Sequence, residues 1–184
     1  MNFKDILVHI NNRPTCRSRL AVALQVAQQH QARLTGLYVI PHPYFAAQNA
    51  DTLELVAEAR AAFEGAARDA GVDSEWICVD SQQSGLELSQ TISLYAHYHD
   101  LLVISQTDLS NPDRTIPPDL PERAVLGAGR PVLIVPYAGT FATLGVLLRL
   151  GKPVSAKIRF LQVQSLDHGA HGAVEHENPL GHQF

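Results

Sequence analysis

Five short apolar runs recur along the chain, and the residues between them carry helical periodicity: Asp5 to Ile10, Leu34 to Ile40, Glu75 to Val79, Leu101 to Ser105 and Pro131 to Pro136. The runs are rich in Val, Ile and Leu and are apolar at successive rather than alternate positions, so each would present an apolar side chain to both faces of a sheet. A sheet of such strands must be covered on both sides, and strands alternating with helices supply that cover through right-handed crossovers. The expectation is an α/β domain on an open five-stranded parallel sheet with helices on both faces, a Rossmann-like architecture.

The segments between the runs fit this scheme. Asn11-Asn12-Arg13-Pro14 reads as a turn, Thr15 as the cap of a helix reaching Ala32, and Leu20, Ala23, Leu24 and Ala27 as its inward stripe. Pro41 and Pro43 end the second strand, and Asp51 to Ala70 forms a second helix with Val56, Ala59, Phe63, Ala66 and Ala70 inward and Gly71 as its stop. Ser84 followed by Glu87 has the form of a capping box before a third helix with Leu88, Ile92 and Tyr95 inward, and Pro121 to Gly129 supplies the last helix.

Composition enters as an exclusion. The formal net charge of −4 builds no broad basic field, which argues against nucleic acid or an anionic membrane as partner. Cys16 and Cys78, the two cysteines, cannot make a disulfide framework or a zinc site and read as reduced and buried. The start of the sequence carries no signal-peptide pattern and no run approaches the length of a membrane span, so the expected location is cytoplasmic.

Few residues suggest chemistry. His9 on the first strand reads as a structural histidine, and His97 and His99 as caps at a helix end, since positions i and i+2 do not share a face. Asp51, Glu54 and Glu58 read as a charged first turn, and Ser84 lacks the glycine-flanked elbow of hydrolases. Cys16 has no adjacent base or resolving cysteine. Arg13, Arg17 and Arg19 cluster at a helix start, where an anion would be welcome, although solvated arginines are the simpler reading. No catalytic or metal-binding residue is assigned.

Several blocks resemble the universal stress protein family: Lys4-Asp5-Ile6-Leu7-Val8, the helix with Ala21 and Ala27, Gly36-Leu37-Tyr38-Val39-Ile40, and above all Glu122-Arg123-Ala124-Val125-Leu126 leading into Arg130-Pro131-Val132-Leu133-Ile134-Val135-Pro136. The resemblance implies a stress-response role, a homodimer formed through the fifth strand, and in some members ATP binding. ATP-binding members place an aspartate at the end of the first strand and a glycine-rich loop after the fourth, whose backbone amides cradle phosphate. Here the first position is Asn11 or Asn12, the loop begins Ser105-Gln106-Thr107-Asp108, Pro118-Asp119 stands where the last glycine pair would be, and no glycine occurs between Gly85 and Gly127. The expected function is therefore non-enzymatic, by dimerisation and binding of a protein partner or small ligand in a crevice formed by Asn11, Asn12, Val39, Ile40, Ser105 and Gln106, with no cofactor. The alternative is ATP in a rebuilt site at those residues. An enzyme of the wider nucleotide-binding superfamily would need a glycine-rich turn after strand one, which Asn11 to Thr15 lacks.

The family-like domain is expected to span residues 1–138, with 139–184 as a tail that forms a hairpin and then disorder. Four of the nine histidines, His168, His171, His176 and His182, fall in this tail at spacings that match no regular metal site. A linker-like stretch followed by unrelated sequence is what an out-of-frame remnant of a tandem member's second copy would produce. Translation of the other two frames downstream of residue 143 is expected to recover a strand-turn-helix pattern; its absence overturns that origin.

Overall fold

A computed structural model describes residues 2–40, 50–108 and 116–136. The sequence-based expectations for the tail beyond residue 138 lie outside the described residues. The elements run β1 (Asp5–Ile10), α1 (Thr15–His30), β2 (Arg33–Ile40), α2 (Ala50–Asp69), β3 (Ser74–Asp80), α3 (Ser81–Ser84), α4 (Leu88–Ala96), β4 (Leu101–Ser105), α5 (Leu120–Gly127) and β5 (Val132–Val135). All pairings are parallel and the strand order is β3-β2-β1-β4-β5.

The sheet is covered on both faces, as its apolar runs demand. On one face Ile6, Val8 and Ile10 of β1, Leu34 and Tyr38 of β2, and Leu101 and Val103 of β4 pack under α1 and α2. On the other, Leu7, Leu37, Leu102 and Ile104 pack under Ile92 and Ala96 of α4 and Ala124 of α5. Successive residues of one strand thus enter opposite cores, the geometric consequence of a period of two in a strand apolar throughout.

Local details depart from expectation where tertiary packing overrides helical-period reading. Thr15 is the first residue of α1 and not its cap; Pro14 holds the cap position, without a side-chain hydrogen bond. The buried stripe of α1 is Cys16, Arg19, Val22, Ala23, Val26 and Ala27, rotated from the expected one, with Leu20 and Leu24 only partly covered. Ser84 ends the short α3, and Gly85 caps it at φ 69°. The capping box belongs instead to α4, where Glu87 and Gln90 exchange hydrogen bonds with each other's backbone. Asp80 caps α3 by accepting from the amide of Gln82 at 2.8 Å. Of the two cysteines, Cys16 is buried as expected, whereas Cys78 is exposed because β3 is an edge strand. His99 does serve the end of α4: its Nδ1 lies 2.8 Å from the Tyr95 carbonyl oxygen.

Gly36 shows how closely α2 rests on the sheet. A methyl group there would meet Phe63 ring carbons at 3.0 Å, and that ring also packs tilted on Trp76 at 5.7 Å. Gly36→Ala is expected to cost about 1–3 kcal/mol in urea unfolding, because the Phe63 ring must leave its position in a filled core. Gly65, on α2, has nothing within 4 Å of such a methyl. Gly65→Ala should stabilise by about 0.5–1 kcal/mol through helix propensity, so the same substitution takes opposite signs at the two sites.

Candidate functional site

The strand order reverses at β1. The chain leaves β1 toward β2 on one side and returns through α4 to β4 on the other, so the connections diverge above the carboxyl ends of β1 and β4. Open α/β sheets bind ligands at such a reversal. A cleft of about 280 Å³ lies there, with His9, Asn11 and Arg19 on the β1 side, Ser105 to Asp108 on the β4 side, and Ile116 and Leu120 as an apolar wall.

Arg19 dominates its electrostatics. The side chain rises from the buried stripe of α1 and is only 2% exposed. Nη1 donates to Ser105 Oγ at 2.6 Å and Nη2 donates to Asn11 Oδ1 at 3.2 Å, so one guanidinium ties the end of β4 to the end of β1. The buried Nε has no hydrogen-bond partner. Among the described residues no carboxylate pairs with Arg19, although a buried guanidinium stays charged and desolvating a charge costs several kcal/mol unless it is paired. Burial lowers its pKa, with the Cys16 thiol acting in the opposite direction.

His9 shares the cleft at 4% exposure. Burial first, and the Arg19 charge second, hold its pKa well below the ordinary imidazole value of 6.5, so the ring stays neutral beside the guanidinium.

Three of the six residues expected at the crevice come together: Asn11, Ser105 and Gln106 line it. The other three do not. Asn12 turns away, accepting from the Tyr38 hydroxyl at 2.6 Å and donating from Nδ2 to the Leu55 carbonyl at 3.0 Å. Val39 and Ile40 are buried in opposite cores, because β2 lies on the far side of β1 from β4 and its end does not reach the reversal. Of the two asparagines aligned with the strand-one position, Asn11 is therefore the one that faces the site. The sequence reading named Arg19 with Arg13 and Arg17 as a possible anion contact but favoured a solvated side chain; the structure buries it, and a signal was present, since it follows Cys16 by three and precedes Val22, Ala23 and Val26 by three, four and seven, placing a guanidinium within an apolar stripe.

Ser105, Gln106, Thr107 and Asp108 line the wall after β4, and Arg19 spans the space between the strand ends. Pro117 and Pro118, which precede α5, supply no amide donors. No group of three or more His, Cys, Asp or Glu side chains among the described residues is placed to hold a metal ion, and none of their helices is long and apolar enough to cross a membrane.

Comparison with known proteins identifies the architecture. The model of the universal stress protein family matches residues 2–136. No curated protein matches the chain significantly. Among solved structures, a universal stress protein in complex with cAMP is similar at 19% identity and TM-score 0.58, covering 75% of this chain and 100% of that one. A universal stress protein from Archaeoglobus fulgidus in complex with dAMP is similar at 15% identity and TM-score 0.56, covering 73% of this chain and 99% of that one. Universal stress protein UspA from Lactobacillus plantarum is similar at 19% identity and TM-score 0.53, with 73% and 99% covered. At these identities the likeness concerns the fold.

The neutral, buried His9 has a measurable consequence. The unfolded chain takes up a proton at this position near pH 6.5 and the folded chain does not, so stability is full above that pH and falls as pH drops below it. His30, whose pKa is also lowered by partial burial, acts with the same sign. Urea unfolding between pH 7.5 and 5 is expected to lose up to about 1.4 kcal/mol per pH unit from His9. His9→Gln should flatten that slope; an unchanged slope means that His9 titrates normally.

Proposed function

Because the chain belongs to the universal stress protein family, we propose that it is a non-enzymatic stress-response member, which dimerises through β5 and holds a small ligand or protein partner at the β1–β4 cleft without an ATP cradle. The observation that carries this reading is the wall of the cleft after β4. Glycines would let backbone amides close on a triphosphate; Ser105 to Asp108 present side chains instead, one of them a carboxylate. His9, held neutral by burial, shares the cleft with Arg19.

Dimerisation is supported by the edge position of β5. Its inner side pairs with β4 from Leu102↔Val132 to Ser105↔Val135, and no strand among the described residues pairs with its outer side. Val132 and Ile134 are only half-buried. A parallel edge of this kind is satisfied by a second copy. A cytoplasmic location belongs to the same proposal.

A second reading, an adenylate-binding member with a rebuilt site, draws on the relatives solved with cAMP and dAMP. Calorimetric titration separates the two. We expect ATP with magnesium to bind no tighter than about 1 mM; micromolar affinity overturns the primary reading in favour of the second. Sedimentation at tens of micromolar protein is expected to show a dimer, and a monomer alone would remove the β5 interface.

A further inference from the structure

We propose that the β1–β4 cleft binds a single small oxyanion, the carboxylate or phosphate-monoester end of a compact metabolite, with the Arg19 guanidinium as its counter-charge and Asn11 and Ser105 as the groups that aim it. The inference rests on the reading of this cleft as a ligand site and goes further by giving the ligand its chemistry.

Four observations support it. Arg19 is buried to 2% exposure where the strand order reverses, and its buried Nε–H has no hydrogen-bond partner. Besides the Cys16 thiol, which favours its charge, Arg19 donates to two neutral side chains, and each of these keeps donors in reserve. Ser105 Oγ accepts from Nη1 at 2.6 Å, which leaves the hydroxyl proton to be given elsewhere. Asn11 uses Oδ1 for Arg19 Nη2 at 3.2 Å and for the Arg13 amide at 3.3 Å, which leaves the Nδ2 protons for a ligand. An oxyanion beside the guanidinium would meet charge-assisted hydrogen bonds from all three residues.

The cleft also limits what fits. At about 280 Å³ it sits at the lower end of small-molecule sites, and Ile116 and Leu120 offer an apolar wall for a short carbon body. Asp108 lines the same space, which favours one compact anionic head group over a chain of phosphates. Asn11 is the telling position. An aspartate there would neutralise Arg19 from within; the neutral amide leaves that task to a ligand.

The experiment adds sodium phosphate or sodium acetate to the full chain at constant ionic strength, following thermal unfolding and the Arg19 Nε–H resonance by NMR. Expected are a saturable rise in melting temperature and a shift of that resonance with at least one anion, the stronger one identifying a phosphoryl or a carboxyl head group. Asn11→Asp, which supplies an internal carboxylate, should fold and lose the response. Ser105→Ala should weaken it several-fold, and Arg17→Gln, at an exposed arginine outside the cleft, should leave it intact. An Nε–H resonance that neither anion moves overturns the proposal without recourse to any variant, as does an equal response in Asn11→Asp and the unaltered chain; either result makes Arg19 a strut between strands. Such a failure is separable from that of the parent reading, which stands or falls on ATP affinity and sedimentation.

Discussion

The structure depends on the burial of both faces of one parallel sheet. Each central strand sends alternate residues into two separate cores, Leu101 and Val103 beneath α1 and α2, and Leu102 and Ile104 beneath α4 and α5. At about 1.5–3 kcal/mol for each fully buried Leu, Ile or Val, losing either layer of helices would cost more than the net stability of a domain this size. Covering two faces obliges the crossovers to divide between them, and the division places the reversal between β1 and β4. The cleft is a consequence of the way the sheet is covered.

Arg19 lies where that consequence becomes chemistry. A helix that packs on the sheet beside the reversal carries one guanidinium in its buried stripe, and the side chain is long enough to reach both strand ends. Its methylene stem satisfies the apolar stripe while its head serves the polar cleft, a division of labour open to Arg but not to shorter polar residues. The same scaffold in relatives solved with dAMP or cAMP shows that the fold tolerates different occupants, and fold alone does not name one. What individualises this chain is the charge pattern at the reversal: a neutral Asn11, a buried Arg19, a neutral His9 and the carboxylate of Asp108.

Most of the strands could be read from residues alone because five runs with apolar residues at successive positions admit few alternatives, and β1 and β4 begin and end where the pattern placed them. Helix ends and faces were less legible. Thr15 and Ser84 are good capping residues by type, yet the turn at Asn11 to Pro14 starts α1 one residue early, and the insertion of α3 moves the capping box to Glu87 and Gln90. The stripe of α1 was read correctly at Ala23 and Ala27 but misread at Leu20 and Leu24, because leucines outweigh cysteine in any hydrophobic count, whereas close packing of helix on sheet favours the smaller Cys16.

The sequence by itself determined the layered α/β architecture, since strands apolar at successive positions and separated by helices bury both faces of a sheet between those helices. It also determined the absence of glycine between Gly85 and Gly127, a property of covalent structure that no packing can supply. Only the tertiary structure decided which strand ends meet. Strand order is a long-range property, and it alone brings Asn11, Arg19 and Ser105 together while sending Asn12, Val39 and Ile40 elsewhere. The charge of Arg19 was legible in its codon; that it forms no ion pair with a described carboxylate was not, because desolvation and pairing belong to the folded surroundings and not to the residue.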